Sequence, residues 1–434
     1  MDKMADVLGR AGAWCGQNKY LSAIKNAFQN FMPLTIAGAI GVLWCNVLVN
    51  DQTGLGLFFK PIMALDFLNP AFQAVNFCTI SCITVGITLG IAQEIGIWNM
   101  GAEKAGYIPG LVGLAAWLSV TNTSHMVEGA KDAFTGIAGN ELGATGLFTG
   151  MIIGVLSVEL FCFFEKQDAL KIKMPEQVPP GVARAFEVLV PATLTLIITA
   201  CIGSACYNLT GLYLNDVIKN GIQGPLGAVG ATIPGVMIIY LVIMLFWLVG
   251  IHGNNMLSAV KEALFTPLAL ENVEAFNKGE TPKNIINMYA LQMWGEFGGS
   301  GVTIGLVIAI MIFGKREDNK AIAGLSLVPG LFNINETVTF GIPMVLNPIL
   351  GIPFVFACLV TILVGYVLTV IGFCPVACLT VPWTTPPIVF GFLATGANVM
   401  GAVTQAILIV VSTVIYVPFL IAYEKYQNKQ AAEA

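Results

Sequence analysis

Glu336 is the only charged residue between Ala321 and Tyr423. An isolated carboxylate at membrane depth costs at least ~2–3 kcal/mol even on lenient insertion scales, so its presence calls for a compensating use. It stands in the run Asn333-Ile334-Asn335-Glu336-Thr337, between arms that carry Pro329, Gly330, Gly341, Pro343 and Pro348. Such arms read as a re-entrant hairpin, and irregular backbone at membrane depth is tolerated where it is buried in protein or lines a cavity. A hairpin tip of that kind supplies backbone donors and water, both of which support an ionised carboxylate. Two readings follow: a carboxylate that marks a substrate site, or a structural glutamate capping a broken helix end. The isolation of the charge favours the first.

A second candidate is Gly250-Ile251-His252-Gly253-Asn254-Asn255, directly after the apolar run 228–249. The flanking glycines let a ligand approach the backbone, and an imidazole can donate to or accept from a sugar hydroxyl and titrates near neutral pH. A histidine at a span end is also a common interfacial packing residue. Asn254 and Asn255 tilt the balance, because amides beside an imidazole make a carbohydrate-binding set. The other histidine, His125, follows polar residues 121–124 and reads as solvated. In Val381-Pro382-Trp383-Thr384-Thr385-Pro386-Pro387 the proline spacing opposes a regular helix. Trp383 is suited to stacking on a sugar face or to an interfacial aromatic belt. Trp247 and Trp294 carry the same two readings, and Glu296 reads as a cavity-lining residue or an interfacial cap.

The elements that would position these residues are set by composition. Of 434 residues, 56% are hydrophobic and 10% charged, against about 25% charged in soluble domains. The class is therefore all-α integral membrane protein, and soluble enzymes drop out. A span needs roughly 20 apolar residues, which gives ten candidates: 31–49, 72–92, 105–120, 142–164, 185–207, 228–250, 296–314, 349–371, 376–396 and 398–422. Residues 251–295 and 321–348 read as two re-entrant hairpins. Residues 1–30, with Lys3, Arg10, Lys19 and Lys25, read as a cytoplasmic amphipathic segment without a cleavable signal. Lys166, Lys171, Lys173 and Arg184 crowd the loop 165–184, whereas Lys60 and Lys131 are alone in their loops. The positive-inside rule then places both termini in the cytoplasm, with 424–434 a cytoplasmic tail. Ten spans put the loop carrying Lys315, Arg316 and Lys320 outside, against that rule, which leaves the topology of the second half open. The charged loop divides the chain into a plainer half, 31–207, suited to scaffolding, and an interrupted half, 208–423, suited to binding and translocation.

Other classes lack their motifs. There is no phosphate-binding loop of an ATP-driven pump, no metal-ligand spacing among the ten cysteines and two histidines, and no basic aromatic pattern for nucleic acid. No cofactor is implied. The cysteines read as small packing residues.

The chain resembles the membrane (IIC) component of the bacterial phosphotransferase system, of the lactose/cellobiose/diacetylchitobiose type. The resemblance runs over nearly the whole chain. Its strongest pieces are Asn333-Ile334-Asn335-Glu336 with Phe340-Gly341-Ile342-Pro343 and Asn347-Pro348, and Trp383-Thr384-Thr385-Pro386-Pro387 with the run 391–396. His252-Gly253-Asn254 and Phe31-Met32-Pro33-Leu34-Thr35 support it. One departure is Thr337, where the family usually has proline, and it implies a looser hairpin tip.

The resemblance implies a homodimer of ten-span subunits in the inner membrane, lipid-embedded, with the first five spans making most of the dimer contact. It implies group translocation: a disaccharide is bound outside, carried inward and phosphorylated on its 6-hydroxyl by a phosphocysteine of a IIB protein. IIB is served in turn by IIA, HPr and enzyme I. No IIB-like segment is visible, so the donor is expected on a separate polypeptide. Glu336 would be the base or the group that orients the hydroxyl, and His252 would bond the same region. Asn335, Asn254 and Trp383 would hold the rest of the sugar, with Asn333, Thr384, Trp247 and Glu296 around them. Two rivals remain. One is a cation-coupled sugar transporter using Glu336 and His252 as a proton relay, and the other is a sugar sensor or scaffold that binds without flux.

Overall fold

An apolar chain of this kind satisfies its backbone in lipid by forming helices, and the computed structural model is helical almost throughout. It describes residues 10, 14, 17–51, 55–125, 134–175, 177–225, 230–342, 344–345 and 347–433. Lys3 and Lys131, used above for orientation, and Pro343 lie outside the described residues. Among the described residues five helices are long and apolar enough to cross a membrane, and two bent pairs and two shorter apolar helices accompany them. The chain divides into two compact units. One comprises Gln17–Gly38 and Val75–Ala228; the other comprises Met1–Gly16, Ala39–Ala74 and Val229–Ala434.

The first unit is built on α1 (Lys19–Leu43, whose last residues belong to the other unit), α2 (Ile83–Met100), α3 (Ile108–Val120), α4 (Ala144–Glu165) and α5 (Pro180–Thr210). The buried face of α2 is the stripe Ile83, Ile87, Ile91, Ile95 with Thr84, Thr88 and Ala92 beside it. Small residues let its neighbours come close, as membrane helix contacts require. A Cβ on Gly150 would stand 2.2 Å from Thr88 Oγ1, and one on Gly113 would stand 2.3 Å from Ala92 Cβ. The basic loop seen in the sequence is anchored by acids. Glu165 accepts from Lys104 at 2.8 Å and from Arg184 at 3.0 Å. His125 sits in a two-residue strand ladder, opposite Phe134.

The second unit contains α6 (Ile233–Leu248), α7 (Ser258–Asn277), α8 (Met288–Gly295), α9 (Ile304–Phe313), α10 (Glu317–Leu331), α11 (Glu336–Gly341), α12 (Gly351–Val370), α13 (Val389–Ala394) and α14 (Val399–Glu433). Two expectations are corrected here. Residues 376–396 are not a span: only α13 is helical there, because Pro375, Pro382, Pro386 and Pro387 remove donors and block the helix. Residues 296–314 are helical only from Ile304 onward apart from a short 3₁₀ turn, and the α8–α9 pair bends by 59°. Gly298, Gly299 and Gly301 hold positive φ at that bend. Residues 251–295, read as a re-entrant hairpin, are mainly the 20-residue helix α7 and the whole of α8, joined by the irregular residues 278–287.

The parity problem is settled by one buried carboxylate. Glu424, on α14, accepts from Lys315 N at 2.9 Å, Arg316 N at 3.3 Å and Asn319 Nδ2 at 3.2 Å. The basic loop therefore lies at the same end of the unit as the C-terminal turns of α14, not at the opposite end as ten spans required. α12 then runs away from that end: Phe354 packs at Gly301, Ile362 at Gly295, and Trp294 at Gly365. Two hairpins enter from opposite ends. The first, α10–α11, starts beside Glu424. The second has its base at Ala377, whose carbonyl accepts from Asn272 at 3.0 Å and Asn287 at 3.1 Å near the start of α8.

Glu424→Ala removes the acceptor of three donors, and an unsatisfied buried donor costs ~1–3 kcal/mol. The expected result is a clear drop in the thermal unfolding midpoint of the purified protein, with Glu433→Ala, an exposed partner of Lys429, unchanged.

Candidate functional site

The two hairpin tips meet at Asn333, which adopts φ 63°, a left-handed conformation that asparagine tolerates better than most residues. Its Nδ2 donates to the carbonyl of Trp383, and to that of Thr385 at 3.1 Å. Its Oδ1 accepts from Gly298 N at 2.6 Å. One side chain thus ties the first tip to the second and both to the α8–α9 break. Asn335, 4% exposed, donates to the carbonyl of Ser300 at 2.8 Å. A Cβ on Gly299 would stand 2.6 Å from Asn335 Cβ, so glycine there is a condition of the contact. Residue 337, where the family usually has proline, is Thr337 in the first turn of α11.

Glu336 begins α11 and is exposed. Facing it is His252, whose Nε2 lies 3.9 Å from Glu336 Oε1. The turn after α6 folds back so closely that a Cβ on Gly253 would stand 2.0 Å from the carbonyl oxygen of Ile243. His252 caps the short helix Gly253–Met256, its Nδ1 accepting from Asn255 N at 3.3 Å. That bond assigns the ring proton of the neutral imidazole to Nε2, the atom turned toward the carboxylate. The ring rests on Trp247, centroids 4.5 Å apart, and Trp247 packs edge-on to Phe354. The gap of 3.9 Å is too long for a hydrogen bond. It fits a hydroxyl oxygen that donates to the carboxylate and accepts from Nε2–H.

The remaining candidates separate into two groups. Trp383 is 44% exposed at the second tip, with half-buried Thr384 beside it, so both can meet a ligand. Asn254 and Glu296 are engaged elsewhere. Asn254 Nδ2 donates to Ser300 Oγ at 2.9 Å, and its Oδ1 accepts from Lys261 Nζ at 3.4 Å. Glu296 pairs with Lys261 and accepts from Tyr240 OH at 2.7 Å. Trp294 is buried against Gly365.

Sequence reasoning missed Lys261, Tyr240, Ser300 and Gln405. Gln405 is fully buried, accepts from Ile388 N and Gly391 N at 2.7 Å each, and donates to the carbonyl of Met293. It holds the second hairpin against α8. A lone amide in the apolar run of α14 was its available signal. Lys261 carried no signal, because it lies in a stretch that reads as ordinary amphipathic helix. Among the described residues no cluster has the makings of a metal site.

A model of the family described as "Phosphotransferase system, EIIC" matches residues 25–358. The chain is similar to the oligo-beta-mannoside-specific EIIC component of Bacillus subtilis (strain 168), 33% identical over 98% of this chain and 94% of that one. It is similar to the cellobiose-specific EIIC component of Lactococcus lactis subsp. lactis (strain IL1403), 30% identical over 98% of each. Among solved structures it is similar to the transporter ChbC, the IIC component from the N,N'-diacetylchitobiose-specific phosphotransferase system. That match has a TM-score of 0.88 and 29% identity, and covers 97% of each chain.

Asn333→Asp keeps the acceptor for Gly298 N but removes both donors to the second tip; Asn333→Gly relieves the left-handed backbone and removes all three bonds. Both variants are expected to weaken sugar binding by at least about tenfold, since each lost bond between neutral groups is worth ~1 kcal/mol. Titration of the purified protein with sugar, read by tryptophan fluorescence, checks it.

Proposed function

The chain belongs to the phosphotransferase system EIIC family, and from that premise we propose that it carries a disaccharide of the cellobiose, diacetylchitobiose or lactose type across the membrane. The sugar's 6-hydroxyl is presented at Glu336 and His252 for phosphorylation by the phosphocysteine of a IIB protein. The observation that carries the reading is the 3.9 Å seat between Nε2 of His252 and Oε1 of Glu336. A neutral hydroxyl is a poor nucleophile. A carboxylate that accepts its proton as the oxygen attacks phosphorus accelerates the step by ~10²–10⁴-fold. The P–S bond breaks as the P–O bond forms, the thiolate leaves, and the proton resides on Glu336. His252 donates from Nε2 to the same oxygen and fixes its direction, which matters because phosphoryl transfer depends chiefly on positioning and electrostatics. Trp383 and Thr384 meet the rest of the sugar. The disaccharide class is supported by the substrates named for the similar proteins, and an exposed indole beside polar groups suits a sugar face.

Transport requires the site to open to each side in turn. Each of the two described passages between the compact units, at 38/39 and 74/75, has a π-helical turn a few residues away: Trp44–Leu48 and Phe77–Ser81. Such turns interrupt the regular helix and recur at functional positions, which supports movement of the sugar-bearing unit as a body. The first unit serves as the scaffold of a homodimer, and the basic loop beside Glu424 lies in the cytoplasm with the termini.

Glu336→Gln is expected to bind cellobiose or diacetylchitobiose within about threefold of the wild type while phosphorylated product falls ~10²-fold or more. Sugar titration and a phosphotransfer assay with phospho-IIB read the two quantities separately. Wild-type product formation in that variant would remove the base assignment. In vesicles, unphosphorylated sugar accumulating under an ion gradient alone would replace the reading with coupled transport.

A further inference from the structure

We propose that Lys261, through its pair with Glu296, is a positioning residue that sets the spacing between His252 and Glu336. The inference rests on the reading that these two groups act on one hydroxyl. The Lys261 side chain is 8% exposed and that of Glu296 is 17% exposed. The ammonium faces Glu296 and the Asn254 amide oxygen, with the Tyr240 ring 5.6 Å away. The same carboxylate oxygen of Glu296 also accepts from the Tyr240 hydroxyl. A buried ion pair of this kind is weak evidence for stability, since well-packed apolar residues often replace one without loss. What it does hold is the orientation of Asn254: Oδ1 toward the lysine, Nδ2 toward Ser300 Oγ.

Ser300 is where two arms converge. Its hydroxyl takes the bond from Asn254, which lies two residues after His252 on the turn that carries the imidazole. Its carbonyl takes the bond from Asn335, which directly precedes Glu336. The imidazole and the carboxylate come from segments some eighty residues apart in sequence, and this chain of bonds links their backbones. Turning the Asn254 amide over would aim Nδ2 at the ammonium and Oδ1 at Ser300, so the charge on Lys261 selects the productive orientation. An acid–base pair displaced by about 1 Å loses up to ~10²-fold in rate, while sugar contacts made at Trp383 and Thr384 are untouched.

The test uses the full-length protein, with the paired substitution Lys261→Met/Glu296→Met so that neither charge is left buried alone. The expected result is a fall in phosphotransfer kcat of ~10–100-fold with the dissociation constant for cellobiose or diacetylchitobiose within about threefold. Ser300→Ala, which keeps the carbonyl and removes the hydroxyl, is expected to show the same split and decides the matter should the paired variant not fold. Wild-type kcat in a folded variant, or kcat and affinity falling together with the unfolding midpoint, would overturn the proposal. A wild-type protein that itself makes no phosphorylated sugar would instead overturn the reading on which it rests.

Discussion

The second unit depends on holding a carboxylate in place where the chain around it is apolar. That requires backbone donors and polar side chains at the same depth, and a continuous helix spends all its donors internally. The chain must therefore break three times near one point: at 298–303, at 332–335 and at 382–388. Broken backbone is a liability unless each piece is tied to another, and asparagine is the residue that ties them. Asn333 and Asn335 bind the first tip to the break between α8 and α9, and Asn333 also binds the second tip. Remove these amides and the carboxylate loses the frame that makes its position reproducible.

The same logic extends outward. Asn272, Asn284 and Asn287 hold the base of the second hairpin, with Asn272 accepting from the amides of Lys283 and Asn284 and donating to Ala377. Gln405 holds its return arm. Glu424 holds the entry of the first hairpin. Asn272, Asn287, Gln405 and Glu424 are buried polar groups satisfied by the irregular backbone they serve, which is how such groups avoid the penalty of burial. Glycine completes the arrangement where two chains must touch, at Gly253 against Ile243 and at Gly299 against Asn335.

Much of the site was legible because its strongest signal is a contrast. A charge alone in an apolar run stands out, and so do the proline-rich tips, so Glu336, Asn333, Asn335 and Trp383 could be named from sequence. Their meeting could not, since residues 333 and 383 are joined by backbone carbonyls that carry no residue signature. The fold was legible as to class and less so as to crossings. Hydropathy counts apolar residues without asking whether they can be helical, so 376–396 read as a span although its prolines forbid one. That error reversed the side of the loop at Lys315 and Arg316. Lys261 was silent because a lysine in an amphipathic helix ordinarily faces water, and only the placement of Glu296 turns it inward.

The structure also separates groups that hold from groups that read. Asn333, Asn254 and Glu296 have hydrogen-bonding atoms committed to protein partners, and Asn335 is buried. A sugar approaching the tips therefore meets Glu336, His252, Trp383 and Thr384 first. On the proposed reading the first two face one hydroxyl and are indifferent to the stereochemistry of the distal ring. Discrimination among disaccharides then falls on the exposed indole, on Thr384, and on whatever backbone the tips leave open. A stacking surface tolerates many sugars of similar shape, so selectivity must come from hydrogen bonds that a wrong epimer leaves unmade. Such a site would hold its chemistry fixed while its specificity drifts, because the bonds that place the carboxylate and the contacts that choose the sugar belong to different side chains.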